Sequence, residues 1–462
     1  MFDREIYNKR REDLRKQLDS GIIVLPGNFE SSMNYPDNTY RFRQDSNFLY
    51  FFGLDHTGYV GVMDLDEGKD YIFGDDVDMN DIIWMGNQPS VLEQAEKVGV
   101  ENTAPVSQLE GFLKEALGKN RTLHLLPFYR GDNILFMSKM TGKTPEELEK
   151  MISLSLIKAV VNLRSYKGEE EIREIEYAMD IAYEMHTTVM RMVRPGILER
   201  ELAGTIEGIA AAKGSGISFP VILTINGQTL HNHYHGNVLE KGRMVVTDAG
   251  AESLLHYASD ITRTIPVSGR FDQRQKDIYE IVLKANTETI KAARPGITNK
   301  NLHLMASRII ANGLKEVGLM RGDIDQAVSL GANALFFPHG LGHMMGLDVH
   351  DMEGLGEDYV GYNDEVHRSK QFGMAFLRLA KKLEPGFVFT IEPGIYFIPA
   401  LIEQWRREKK FAEFINYDKL DTFLDFGGIR IEDDVLVKED DAVVLGRPIP
   451  KTVEEIETIM NA

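Results

Sequence analysis

Residues 338–351 read Pro-His-Gly-Leu-Gly-His-Met-Met-Gly-Leu-Asp-Val-His-Asp, which places three histidines and two aspartates within fourteen residues. Gly340, Gly342 and Gly346 interrupt the segment, and each glycine costs ~1 kcal/mol in a helix interior. A loop is therefore expected, although His339 and His343 stand four apart. A zinc-binding helix of the His-Glu-x-x-His type is excluded, because Gly340 occupies the place of its glutamate. Histidines in such a loop need partners from elsewhere in the chain.

Four other segments each offer a carboxylate in a strand-like setting: residues 245–250 with Asp248, 259–264 with Asp260, 389–394 with Glu392, and 428–433 with Glu432. Side chains alternate along a strand, so Asp260, Thr262 and Thr264 are expected on one face. The same holds for Val388, Thr390 and Glu392, and for Arg430 and Glu432. Carboxylates buried without partners are costly, and four in one core repel one another unless cations neutralise them. Salt bridges are the bland alternative, yet Arg263 and Arg430 are the only basic residues in these segments. Four acids against two arginines favour metal ions.

Four carboxylates and one imidazole suit a pair of divalent ions ~3.5–4 Å apart. Oxygen-rich coordination leans toward manganese, while the histidine leaves zinc, cobalt and iron open. The chain has no cysteine, which excludes thiolate ligands, disulfides and a cysteine nucleophile. Such an ion pair supports hydrolysis, since it brings the pKa of a bound water to ~7 and polarises the attacked carbonyl. Glu392 is the candidate acceptor of that water's proton.

A chain of 462 residues is long enough for two or three domains. Its 43% hydrophobic and 27% charged residues are those of a globular protein. The net charge of -19 argues against non-specific binding to nucleic-acid backbones. A charged N-terminus and the lack of any apolar run near ~18 residues argue against a signal segment and a membrane span. A cytoplasmic address is expected.

Strand patterns at residues 21–27, 59–64 and 71–74 alternate with helical patterns at 5–20, 91–97 and 106–117. Residues 44–53, rich in aromatics, read as one more buried strand. Together they predict a smaller α/β domain over residues 1–165. Helices begin near Pro145 and Lys167, and the run Glu169-Glu170-Glu171 reads as a solvated helix face. In residues 166–462 the sequence Arg-Pro-Gly-Ile occurs at 194–197 and again at 294–297. Each copy follows a long amphipathic helix and precedes another, ending near Lys213 and Val317. Asp248 and Asp260 follow the first copy; His343, Glu392 and Glu432 follow the second. Two related halves are expected to meet around one site.

With these residues in place, the chain resembles the metal-dependent Xaa-Pro aminopeptidases and the similar Xaa-Pro dipeptidases, or prolidases. The resemblance covers most of the chain, from Phe42-Arg43-Gln44-Asp45-Ser46-Asn47-Phe48-Leu49-Tyr50 through the segments around Asp248, Asp260, His343, Glu392 and Glu432 in the family's order. It implies an α+β protein whose pita-bread catalytic domain, with pseudo-twofold halves, follows a smaller α/β N-terminal domain. It also implies that Asp248, Asp260, His343, Glu392 and Glu432 ligate two metal ions. Asp260 and Glu432 would span both, and Glu392 would also handle the water's proton. His350 is implied at the substrate or tetrahedral intermediate, and Arg430 beside the metal centre. His339 either supports the loop or touches substrate. A further substrate histidine matches His231 by spacing, while His233-Tyr234 fits a His-Tyr version of that motif and His235 lies close by.

The activity implied is removal of an N-terminal residue that precedes proline in a peptide. The assembly implied is a homo-oligomer, dimer or tetramer, whose N-terminal domain shapes a neighbour's active-site entrance. The long gap between Glu392 and Glu432, with Ile402 to Leu424 and Trp405 inside it, resembles the dipeptidase branch. Three other readings are weaker. A creatinase-like amidinohydrolase shares the fold without this ligand set, a non-catalytic binding module is expected to have lost ligands, and a methionine aminopeptidase usually lacks the large N-terminal domain.

Overall fold

A computed structural model describes residues 1–462. The chain divides into two compact units, residues 1–164 with 353–359 and residues 165–352 with 360–462. No helix is long and apolar enough to cross a membrane.

The first unit is built on β1 (Ile22–Pro26), β2 (Val60–Asp64), β3 (Lys69–Phe73), β4 (Asn102–Ala104) and β5 (Leu123–His124), in the sheet order β4-β3-β2-β1-β5. β2 runs antiparallel to both β1 and β3, while β4 and β5 pair parallel at the two edges. Ile22, Val24, Val60 and Val62 are fully buried with Leu109, Leu113 and Met137 from covering helices. Helix α1 (Arg4–Arg15) is held by Arg11, whose buried guanidinium donates to Asp70, Phe51 O and Val98 O at 2.7–2.8 Å.

Residues 44–53 are not the strand that their aromatics suggest. They form helix α2 (Ser46–Phe52), with the Asp45 side chain accepting from the backbone N–H of Asn47 and Phe48 and with Gly53 closing the helix at φ 61°. The two caps satisfy helix ends that a strand would not have. Burial of Phe48, Leu49, Tyr50, Phe51 and Phe52 all round erases the helical period.

The second unit repeats a helix-turn-helix. Helices α3 (Glu169–Met192) and α4 (Glu199–Lys213) form one pair, and α5 (Gln273–Ala292) and α6 (Asn299–Glu316) the other. The two Arg-Pro-Gly-Ile turns make the same bonds. Gly196 N donates to Leu239 O and Gly296 N to Leu383 O, both at 2.9 Å, and the return bonds to Ile197 O and Ile297 O measure 2.7 and 2.8 Å. Both glycines hold left-handed φ values, 94° and 85°, where a side chain is strained. Equivalence reaches the helices too. His186 of α3 bonds Ala249 O at 2.9 Å, and Asn286 of α5 donates to Ile391 O at 3.1 Å. Each half thus ties its long helix to backbone beside an acid, Asp248 in one and Glu392 in the other.

The strands of this unit that frame the site are β6 (Ile222–Thr224), β7 (Met244–Ala249), β8 (Ile261–Pro266), β9 (Val388–Ile391), β10 (Gly394–Tyr396), β11 (Gly428–Arg430), β12 (Asp433–Val437) and β13 (Ala442–Val444). They form antiparallel sheets in the orders β8-β7-β6 and β9-β12-β13, with β10 paired to β11. Every residue of β7 and β8 is buried, as in a sheet covered on both faces. The halves join where Thr264 Oγ1 donates to Arg430 O at 3.0 Å and Glu432 N donates to Thr262 O at 3.1 Å.

Two local expectations are corrected here. Only Asp248 lies within a strand; Asp260 immediately precedes β8, Glu392 follows β9, and Glu432 sits in the break between β11 and β12. Period-two alternation therefore does not aim three of the four acids, because strand ends and breaks turn them into the site. Glu171 is buried rather than solvated, since its carboxylate caps α3 by accepting from Gly168 N at 3.0 Å and also accepts from Tyr257 Oη at 3.0 Å.

Candidate metal centre

The histidine-bearing segment is a buried loop, as its glycines require, and it lies directly on β9. A Cβ on Gly342 would stand 1.8 Å from Thr390 O. His343 N donates to Thr390 Oγ1 at 3.1 Å, and Glu392 N to Leu341 O at 2.8 Å. His343 Nδ1 faces Met344 O at 3.0 Å. A carbonyl can only accept, so that nitrogen carries the hydrogen and the Nε2 lone pair is directed elsewhere.

It is directed at carboxylates. His343 Nε2 lies 3.4 Å from Asp260 Oδ2 and 3.9 Å from Glu392 Oε1. Ligand atoms of Asp260, His343 and Glu432 all fall within 4.8 Å of one another. Asp248 joins through Arg430, whose Nη2 donates to its Oδ2. Arg263, the other basic residue of these segments, turns away to Asp433 at 2.7 Å. Asp260, Glu392 and Glu432 accept no ion-paired hydrogen bond from a lysine or arginine.

The electrostatic consequence is strong. Burial, then Glu432 and Asp248, hold the Asp260 carboxyl well above its usual range, and burial with Glu392 does the same to Glu432. Burial pushes Glu392 up to about 8, with Arg430 opposing. Asp248 Oδ1 and Asp260 Oδ1 are buried and have no hydrogen-bond partner. Orphaned carboxylate oxygens and mutually repelling acids are both relieved by a divalent cation, and an oxygen-plus-imidazole donor set suits one. These residues fit a metal site.

A cavity of about 620 Å³ opens onto these groups. His231, His233, His339, His350 and Arg430 all line it. His350 meets His343 edge-on, ring centres 4.3 Å apart. His235 instead bonds Val221 O at 3.1 Å and is absent from the lining. His339 is half-buried, its Nε2 bonded to Tyr396 Oη at 2.8 Å, and burial pushes its pKa down to about 3. Tyr396 Oη also accepts from Arg430 Nη1 at 2.8 Å. Sequence reading missed Tyr396, because the Glu392-Pro393 break resets the strand register ahead of it. Arg378, Phe372 and Phe376 also line the cavity, from a stretch with no periodic signal at all.

The pattern described as metallopeptidase family M24 matches residues 173–439, and that of the aminopeptidase P N-terminal domain matches residues 7–125. The chain belongs to metallopeptidase family M24. It is 34% identical over 469 residues to Xaa-Pro dipeptidase of Homo sapiens, covering 98% of this chain and 92% of that one. It is 31% identical over 449 residues to a probable Xaa-Pro aminopeptidase of Sordaria macrospora, covering 96% and 92%. The solved structure of aminopeptidase P from E. coli with the inhibitor Pro-Leu superposes with a TM-score of 0.80 at 29% identity, covering 100% of this chain and 98% of that one. This M24 chain accordingly has the α+β pita-bread fold, preceded by an N-terminal domain.

Proposed function

We propose that this M24 enzyme is a dinuclear, metal-dependent Xaa-Pro aminopeptidase, with residues 166–462 as its catalytic domain and residues 1–165 before it. Asp248, Asp260, His343, Glu392 and Glu432 would hold two divalent ions, manganese first, with zinc, cobalt or iron as alternatives. The observation that carries this reading is the pair of buried, unpartnered oxygens, Asp248 Oδ1 and Asp260 Oδ1, facing one cavity. When bound, such ions supply Lewis-acid polarisation of the scissile carbonyl and acidify the attacking water.

The chain's own residues do the rest. Glu392, which lines the cavity beside the other acids, accepts the water's proton at a carboxylate oxygen and returns it to the departing proline nitrogen. His350, beside His343, donates a hydrogen bond to the oxyanion that develops on the substrate. The chain His339–Tyr396–Arg430 fixes the Arg430 guanidinium against Asp248, and His231 at the wall orients the peptide. Proline has no N–H and a fixed φ, so its bonds are distinctive and a pocket shaped for the ring selects them.

One observation favours a second reading. Arg378, half-buried and lining the cavity, suits the free carboxylate of an Xaa-Pro dipeptide, which is the substrate class named for the human relative. A homo-oligomer, dimer or tetramer, completes the proposal: helix residues Met79, Ile83, Trp84 and Met85 are 64–80% exposed, an apolar patch suited to a subunit contact.

Metal analysis of the purified protein, followed by hydrolysis of matched Xaa-Pro-Yaa, Xaa-Pro and Xaa-Ala-Yaa peptides, tests the reading. Release of Xaa from Xaa-Pro-Yaa, lost in Asp260→Ala, is the expected result. Cleavage restricted to Xaa-Pro selects the dipeptidase. No metal and no Xaa-Pro cleavage discards both.

A further inference from the structure

The long stretch between Glu392 and Glu432 carries residues that no step above uses. Helix α7 (Pro399–Arg407) presents Trp405, which is 3% exposed. The following loop folds back over it, with Lys410 Nζ 4.1 Å from the Trp405 ring centre and the Phe411 ring centre 5.6 Å away. Lys409 and Phe411 both hold φ 53°, a conformation that a non-glycine residue keeps when its surroundings enforce it. On another side Trp405 meets Phe372 edge-on at 5.9 Å, and Phe372 meets Phe376 edge-on at 6.0 Å.

Phe372 and Phe376 line the substrate cavity at its outer end. They are 39% and 56% exposed, whereas Asp260 and Glu432 at the inner end are 5% and 2% exposed. The backbone that carries the two rings is packed at two points: a Cβ on Gly373 would lie 2.8 Å from Ala334 Cβ in the turn ahead of the histidine loop, and one on Gly340 of that loop 2.7 Å from Leu377 Cα. Two aromatic faces are thus held open to water beside the reacting groups. Covering them with an apolar side chain is favourable. An exopeptidase that releases one residue seats the short amino end of its substrate at the inner carboxylates, so the remaining peptide leaves across this rim.

We propose, resting on the aminopeptidase reading above, that Phe372 and Phe376 form an apolar clamp for the side chain of the substrate residue that follows proline, and that Trp405 is the positioning residue that holds Phe372. The class of substrate favoured is a peptide with a large apolar residue directly after its proline.

Calorimetric titration of the full chain with Mn²⁺ present, using the dipeptides Pro-Phe and Pro-Gly as stand-ins for the departing portion, tests both parts. Pro-Phe is expected to bind about fivefold tighter than Pro-Gly. Phe372→Ala should abolish that ratio while leaving Pro-Gly affinity within about twofold. Trp405→Ala should abolish it as well, Trp405→Phe should restore it, and the double variant Trp405→Ala/Phe372→Ala should lose nothing further. Equal affinities in the wild type, no binding of either dipeptide, or a ratio that survives Phe372→Ala overturns the clamp. A lowered melting temperature in Trp405→Ala with the ratio intact overturns the positioning role; should that variant not fold, Trp405→Leu against Trp405→Phe decides it. An intact ratio in a protein that cleaves no Xaa-Pro-Yaa peptide overturns the proposed function and with it the clamp's role toward substrate, whereas loss of the ratio in an active enzyme overturns the clamp alone.

Discussion

Thr262 Oγ1 donates a 2.6 Å hydrogen bond to Glu432 Oε2, joining a strand of the first half to an acid of the second across the centre of the site. Thr262 Oγ1 also accepts from Arg430 Nε at 3.1 Å. One hydroxyl therefore orients an acid and the guanidinium beside it.

Replacing that hydroxyl by a methyl group in Thr262→Val keeps the volume and removes the orientation. Partners that orient metal-binding carboxylates typically contribute about 10–100-fold in affinity. We expect metal binding to weaken by about that factor with the fold intact, read by competition with a metal-sensitive dye. Unchanged metal affinity would mean that Glu432 is not a ligand held by Thr262.

Asp260→Asn should reverse its effect on stability with the metal. In chelator the substitution removes one of the repelling buried acids, and the variant should melt higher than the wild type. With a divalent ion at about 100 times its dissociation constant, the wild type gains about 2.7 kcal/mol and the order reverses. Thermal melts in chelator and in Mn²⁺ decide this, and a variant that melts lower under both conditions would count against mutual repulsion.

His303 sets a pH dependence away from the acids. It is buried against the Phe337 ring at 5.2 Å, and burial pushes its pKa down to about 4. The unfolded chain binds the proton near the usual ~6.5, so its contribution is intact above that pH and is lost as pH falls toward 4. The loss is about 1.4 kcal/mol per pH unit, or about 2 kcal/mol by pH 5. Denaturant unfolding at pH 7 and pH 5 should show a smaller decline in His303→Leu than in the wild type; parallel declines would exclude His303.

Trp84, 80% exposed beside Ile83 at 71%, is where oligomerisation is expected to be most sensitive. Ile83→Lys/Trp84→Glu should lower the mass measured by light scattering while leaving the far-ultraviolet circular dichroism unchanged. A mass identical to that of the wild type would place the subunit contact elsewhere.

Much of the site was legible beforehand because its chemistry is concentrated in short segments. Glycines at 340, 342 and 346 ruled out a helix for the histidine loop, and acids in apolar surroundings marked the other four segments. The duplicated Arg-Pro-Gly-Ile turn announced two halves, since a left-handed glycine after proline is a local requirement. Helix α2 was misread for an equally local reason: Asp45 and Gly53 cap it, yet burial on every side removes the period by which a helix is known.

Which residue types could hold a cation, and where the chain doubles back, follow from local composition and turn chemistry. How they meet depends on packing between distant segments. Asp260, Glu392 and Glu432 reach the centre from strand ends whose direction no periodicity encodes. Arg430 is paired with Asp248 while Arg263 turns to Asp433, a choice set by which backbones pack together. The cavity wall of Phe372, Phe376 and Arg378 comes from an irregular segment held by Trp405 and the histidine loop. Such positions follow from long-range packing, because irregular backbone has no repeating geometry from which a side chain's direction can be read.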